Sequence, residues 1–311
     1  MAKELTGVSI DEDKERREAL SPFLPADQSR PLSARMRVEF GTASHCGNVR
    51  THNEDHFLIV RLTRAQEVVA TSLASADLPE PFEEYGYAML IADGLGKDGA
   101  GSMASRVALS TIAHLALHHG RWNLRVDRRI AEELYERAEW FYNRADEAVA
   151  ATRRNNPAVE DIATALTVAY SAGADLTVAH VGHTRAYLHR RGGLLRLTED
   201  HTIDRHLARI GRPVSVERRG KDLQHILTDA VGARGDRPLV EVEQFTLEDG
   251  DTVLLCTNGL TDMVPETQIA DVLAARRRSQ DQCEMLTDLA LAAGGEDNVT
   301  VVLAQYRLPP L

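Results

Sequence analysis

The chain is short of cysteine, of positive charge and of long apolar runs, and each shortage removes a class of function. Its three cysteines, Cys46, Cys256 and Cys283, are an odd number set far apart, with no CxxC pair and no histidine at zinc-finger spacing. Neither a disulfide framework nor a structural zinc site is supported. Lys and Arg number 36 against 47 Asp and Glu, which leaves a net charge of −11. A protein of that sign has no general grip on a phosphate backbone or an anionic membrane, so neither nucleic acid nor membrane is an expected partner. No apolar stretch approaches the ~20 residues that cross a bilayer. The opening Met-Ala-Lys-Glu-Leu-Thr has no apolar segment of the signal-peptide kind. A cytoplasmic location is expected.

What is present is enough apolar material for a large core, 43% of 311 residues. Residues 1–35, with the charged run Asp11 to Glu18 and Pro22, Pro25 and Pro31, read as a mobile tail, and residues 36–311 as one large domain. Short apolar runs at Phe57 to Leu62, Tyr87 to Ala92, Ala165 to Ala169, Leu176 to Val181 and Val253 to Cys256 predict strands, several of them buried on both faces. Gly101 to His119 predicts a helix with an apolar stripe at Met103, Val107, Ile112, Leu115 and Ala116, and Arg128 to Arg154 a second with Ile130, Leu134, Ala138, Phe141 and Ala145. Glu266 to Arg278 and Gln282 to Ala292 predict two more helices ahead of a last strand, Asn298 to Tyr306. Strands grouped with strands and helices paired with helices point to an α+β fold of antiparallel sheets covered by helix pairs.

Four polar clusters stand at the ends of predicted strands. Asn53-Glu54-Asp55 precedes Phe57 to Leu62, Asp93-Gly94 follows Ala88 to Ala92, Asn258-Gly259 follows Val253 to Cys256, and Glu296-Asp297-Asn298 precedes the final strand. Any single Asp-Gly or Asn-Gly is adequately accounted for as a turn. Four together, all oxygen donors without cysteine or paired histidine, suit hard divalent cations such as Mg²⁺ or Mn²⁺. Two such ions a few ångströms apart activate water and neutralise a phosphoryl group.

These clusters lie in motifs that resemble the metal-dependent protein serine/threonine phosphatases of the PP2C (PPM) type, over Val38 to Tyr306. The motifs are Gly47-Asn48-Val49-Arg50-Thr51-His52-Asn53-Glu54-Asp55, Ile91-Ala92-Asp93-Gly94-Leu95-Gly96, Val181-Gly182-His183-Thr184-Arg185-Ala186-Tyr187-Leu188, Leu197-Thr198-Glu199-Asp200-His201-Thr202, Leu254-Leu255-Cys256-Thr257-Asn258-Gly259-Leu260-Thr261-Asp262 and Glu296-Asp297-Asn298-Val299-Thr300. The resemblance implies a four-layer α-β-β-α sandwich of two antiparallel sheets flanked by helix pairs. It implies two Mn²⁺ or Mg²⁺ ions bridged by Asp93, with the Gly94 carbonyl, Glu54, Asp55, Asn258 and Asp297 serving the metal centre. Arg50 would clamp the phosphate, acting on substrate rather than on metal. The implied reaction is direct hydrolysis of phosphoserine and phosphothreonine on proteins, without a phosphoenzyme; the substrates would be products of a serine/threonine kinase.

Three departures from the family pattern bear on activity. Asn258 stands where the family has aspartate and supplies no charge. His183 stands at the family's third-metal aspartate, a nitrogen donor that suits Mg²⁺ poorly and Mn²⁺ somewhat better. Leu95 occupies a position where eukaryotic members carry a proton-donating histidine, which excludes a general acid there. The alternative reading is a pseudophosphatase, a phosphoprotein-binding or regulatory module with catalysis lost through Asn258 and His183. Among the remaining polar residues, Arg185 is expected as an ion-pair partner, Asp262 as a cap after Asn258, and His201 as a hydrogen-bonded loop residue. Lys97 either adds a cation near the substrate or points to solvent.

Overall fold

The computed structural model describes residues 31–74, 78, 81–119, 128–156, 159, 161–211, 222–235 and 237–309. A short helix α1 (Leu32–Arg35) leads into β1 (Arg37–His45), β2 (His56–Ala65) and β3 (Glu83–Leu95). Helices α2 (Gly101–His119) and α3 (Arg128–Asn155) follow, then β4 (Ala163–Ala172), β5 (Asp175–Val181), β6 (Arg185–Arg190) and β7 (Gly193–Arg196). After α4 (Ile203–Arg209) and α5 (Asp222–His225) come β8 (Glu241–Thr246), β9 (Thr252–Cys256), α6 (Asn258–Thr261), α7 (Glu266–Ala274), α8 (Ser279–Ala292) and β10 (Val299–Arg307). The strands make two five-stranded sheets, β1-β10-β9-β6-β7 and β2-β3-β4-β5-β8, antiparallel throughout.

Period-two alternation assigns every central strand to two cores at once. In β3, Met89 and Ile91 face the other sheet while Leu90 and Ala92 face helices α2 and α3. In β9, Val253 and Leu255 enter the space between the sheets, and Leu254 and Cys256 pack beneath α7 and α8. In β10, Val302, Ala304 and Tyr306 point inward while Val301 and Leu303 meet the helices. The expected four-layer sandwich is therefore observed, and the uninterrupted apolar runs follow from burial on both faces. Each such valine, leucine, isoleucine or methionine side chain contributes about 1.5–3 kcal/mol relative to exposure. The Tyr306 hydroxyl is 2.9 Å from Ser171 Oγ and joins the sheets, while the Tyr142 hydroxyl donates to the Ala179 carbonyl at 2.7 Å and ties α3 to its sheet.

The structure departs from the sequence expectations at several element boundaries and faces. The face of α2 packed most tightly on the sheet is Ala104, Ser105, Ala108, Leu109 and Ile112, not the stripe through Met103 and Val107, because small residues let the helix approach closely. Helix α7 stops at Ala274 rather than Arg278: the Gln282 side-chain amide donates to the carbonyls of Val272, Leu273 and Ala275 and satisfies groups that another turn would have bonded. Helix α8 begins three residues early, at Ser279, whose backbone N–H donates to Glu39 Oε1 and whose hydroxyl donates to the Glu39 carbonyl. Finally, Leu32–Arg35 of the expected tail is the helix α1, with the Ser33 hydroxyl donating to Glu84 at 2.9 Å. The rest of that tail, residues 1–30, lies outside the described residues.

Candidate metal and phosphate site

Strand ends from both sheets meet at one edge of the sandwich. In one sheet, register pairs His56 with Ala92 and Asp93 with Ala165, so Glu54 and Asp55, just ahead of β2, lie beside the end of β3. In the other, Cys256 pairs with Val301, which brings Asn258 next to Asp297 and Asn298 at the start of β10. Asp93 and Gly94 lie within β3 rather than after it, because β4 continues the ladder to Ala163. Gly94 is obligatory there: a Cβ would sit 2.3 Å from the Gly101 carbonyl oxygen, where α2 begins. That close approach delivers the Gly101 N–H to Glu54 Oε1 at 2.6 Å.

Asn298 is the fastener of the site, a role its motif did not disclose. Its Oδ1 accepts from the Glu54 N–H at 2.8 Å, and its amide donates to the carbonyls of Cys46 and His52, each at 2.9 Å. One side chain thus fixes the loop that carries Arg50 and Glu54. Thr257 does similar work below: its hydroxyl donates to Asp55 Oδ2 at 2.9 Å and accepts from the Thr300 N–H at 3.0 Å. Because both residues act through short local bonds to loops distant in sequence, only the three-dimensional pairing of β9 and β10 reveals them.

The carboxylates raise one another's affinity for protons. Burial, and then the charges of Asp55, Asp297 and Glu54, hold the Asp93 carboxyl well above the usual carboxylate range. Asp55, fully enclosed, is pushed up to about 7, mainly by burial. Glu54 is raised, again mainly by burial. Arg50 stands beside this cluster and pairs with Asp297 Oδ2 at 3.0 Å. The guanidinium expected to clamp phosphate is thus engaged here with Asp297, an expected metal ligand.

Among the described residues, no three acidic, histidine or cysteine side chains stand close enough to grip an ion as they are placed. The acidic side chains have protein partners instead. Glu54 is held by Gly101, Asp55 by Thr257 and Asp297 by Arg50. Even so, the donor set fits hard divalent cations. It consists of oxygens, it carries a density of negative charge that burial leaves poorly compensated, and Asp55 Oδ1 is buried without a hydrogen-bond partner.

Asn258 and His183 form the neighbouring wall. The Asn258 amide donates to Asp262 Oδ2 at 3.1 Å, which turns its nitrogen toward Asp262. His183 is buried, its Nε2 3.9 Å from Asp93 Oδ2 and its Nδ1 without a partner. Burial lowers its pKa to about 4, so at neutral pH it is an uncharged nitrogen donor. Both residues line a polar cavity of about 110 Å³ that also takes in Arg185, Asp204, His225 and Asp262. Arg185 is the expected ion-pair partner, binding both oxygens of Asp200 at 3.1 and 2.7 Å. His201 sits in the loop with its Nδ1 3.4 Å from the Gly182 N–H, and Lys97 is exposed on the turn after β3. An apolar cavity of about 200 Å³ between α2, α3 and their sheet is lined by side chains remote in character from this chemistry, among them Leu58, Ile112 and Phe141.

Comparison with known proteins agrees with this architecture. The family model described as Protein phosphatase 2C matches residues 82–292. The chain is 29% identical to the serine/threonine phosphatase stp of Listeria welshimeri, over 88% of this chain and 97% of that one. It is 30% identical to the serine/threonine protein phosphatase PstP of Mycobacterium tuberculosis, over 70% of this chain but 40% of that longer protein. Among solved structures, the catalytic domain of PstP in complex with two manganese ions superposes with a TM-score of 0.65 at 27% identity, covering 88% of this chain and 99% of that one. The serine/threonine phosphatase of S. agalactiae, at 22% identity and a TM-score of 0.70, shares the fold. With two thirds of its length under the family model and the strand-end carboxylates in place, the chain belongs to the protein phosphatase 2C family.

Proposed function

We propose that the chain hydrolyses phosphoserine and phosphothreonine on proteins in a reaction that depends on Mn²⁺ or Mg²⁺. The observation that carries this reading is the convergence of Glu54, Asp55, Asp93 and Asp297 from two sheets on one edge, with Arg50 beside them. Asp93, the Gly94 carbonyl, Glu54 and Asp297 would hold the ions, with the Asn258 amide oxygen completing the shell and Asp55 supporting it from below. Bound divalent ions supply Lewis acidity and an activated water for attack on phosphorus.

The protein's own groups prepare that step. Asn298 fixes the loop so that Arg50 and Glu54 keep one spacing, and the planar guanidinium of Arg50 is able to take two phosphate oxygens together. Asp93 is held by the β3–β4 ladder, and the Thr164 hydroxyl donates to its carbonyl at 2.7 Å, so little entropy is lost on ligation. Leu95 itself supplies no proton at its position. The relatives' names, all serine/threonine or protein phosphatases, weigh against the pseudophosphatase alternative.

The proposed setting is cytoplasmic, opposite a serine/threonine kinase; no described helix is long and apolar enough to cross a membrane. The proposed domain runs from Leu32, with residues 1–31 dispensable. The test is phosphate release from p-nitrophenyl phosphate and from a phosphothreonine peptide, with Mn²⁺ and with excess chelator. Turnover only with metal supports the reading, and no turnover at any Mn²⁺ concentration overturns it.

A further inference from the structure

We infer that Arg50 is a stand-in cation of the metal centre, holding Asp297 until divalent ions displace it and thereby release it for the substrate phosphate. The inference rests on the phosphatase reading above. Asp297 has two oxygens with different fates. Oδ1 accepts from the Asn298 N–H at 2.8 Å and is fixed by the backbone; Oδ2, the oxygen left for ligation, is the one Arg50 occupies at 3.0 Å. An ion and the guanidinium therefore compete for one atom.

The loop around Arg50 is anchored on both sides. The Asn48 N–H donates to the Gly295 carbonyl at 2.7 Å, and the Asn298 amide holds the His52 carbonyl. The backbone stays while the Arg50 side chain, 53% exposed, is free to change partner. An exposed pair of this kind shifts an equilibrium by only about two- to fivefold, so it yields readily to a divalent cation. Two consequences follow. Without metal, Arg50 is withheld from phosphate; with metal, it is freed, so ions and phosphate bind with positive coupling.

The experiment is a calorimetric titration of Mn²⁺ into wild type, Arg50→Gln and Arg50→Lys, without and with inorganic phosphate, so that no turnover is involved. Without phosphate, Arg50→Gln should bind Mn²⁺ about two- to fivefold more tightly than wild type, and Arg50→Lys should stay close to wild type. With phosphate present, wild type should gain more Mn²⁺ affinity than Arg50→Gln. An Arg50→Gln affinity equal to or weaker than wild type in the phosphate-free titration overturns the exchange while leaving the metal centre intact. Wild type that binds no Mn²⁺ removes the metal reading itself, and the exchange with it. Should either variant misfold, the Arg50 guanidinium NMR signal of wild type decides: it should move on adding Mg²⁺ alone, and a signal that stays put overturns the inference.

Discussion

At the scale of single residues, Asn258 is the substitution with the clearest energetic signature. Its amide donates to Asp262, whose carboxyl pKa burial already raises. Asn258→Asp exchanges that hydrogen bond for a second carboxylate, so without metal the variant should lose about 1–2 kcal/mol in urea melts. With metal the sign reverses. A restored ligand charge should lower the concentration for half-maximal rate at least about tenfold, and more for Mg²⁺ than for Mn²⁺. Two unchanged titrations would mean that Asn258 is not a ligand. His180 offers an independent residue-scale test. Its Nε2–H donates to the carbonyls of Gly182 and Glu199 at 3.0 and 3.1 Å, and its Nδ1 lies 2.8 Å from the Thr167 hydroxyl. The His201 ring stacks edge-on at 5.0 Å, and Asp200 and Glu241 are the facing carboxylates. Burial lowers the His180 pKa to about 3. The folded state therefore refuses a proton that the unfolded chain accepts below about pH 6.5, and stability falls as pH drops through that window, by about 1.4 kcal/mol per unit. His183, lowered to about 4, adds a contribution of the same sign. His180→Gln should flatten the dependence by close to one proton, and an unaltered slope between about pH 7 and 5 would contradict the assignment.

At the scale of elements, the site depends on backbones that approach more closely than side chains permit. Gly259 is the second residue of α6, and a Cβ there would lie 2.0 Å from the Asn298 carbonyl oxygen. Gly259→Ala must push apart α6 and β10, so it should cost at least ~2 kcal/mol and weaken Mn²⁺ binding together with stability. Normal metal affinity in a destabilised variant would show that the two elements do not position the centre jointly. Strands buried on both faces are legible in the sequence, because a continuous apolar run as short as Val253 to Cys256 fits a strand covered from either side. The long helices are legible in extent but not in orientation: Ala104 and Ala108 carry little hydrophobic weight, yet they decide which face of α2 meets the sheet. Helix ends escape the sequence pattern where side chains from elsewhere replace backbone partners, as Gln282 does for α7. Within the site, acidic residues at strand ends are legible from their spacing. The fastening by Asn298 and Thr257, and the Arg50–Asp297 pair, depend on contacts more than 200 residues apart and are not.

At the scale of the whole molecule, the fold is two sheets whose facing surfaces and outer helices bury the core, with the carboxylates at one open edge. Metal should add to folding stability, since ions that bind only the native state stabilise it by about 2.7 kcal/mol at a hundred times the dissociation constant. The amino-terminal boundary is testable in the same frame. A chain starting at Leu32 should fold and turn over substrate like the full protein, whereas one starting at Met36 loses the Ser33–Glu84 contact and should melt at a lower temperature. Equal melting of the two would contradict the packing of α1. Asp93 is the proposed hub of the divalent-metal phosphatase centre, and on it the whole functional reading turns. Calorimetric Mn²⁺ binding, run beside phosphothreonine-peptide hydrolysis for wild type and Asp93→Ala, probes that role directly. Wild type should bind two ions and turn over substrate, and Asp93→Ala should do neither. Wild-type-like Mn²⁺ binding by Asp93→Ala would place the metal centre elsewhere and contradict the assignment.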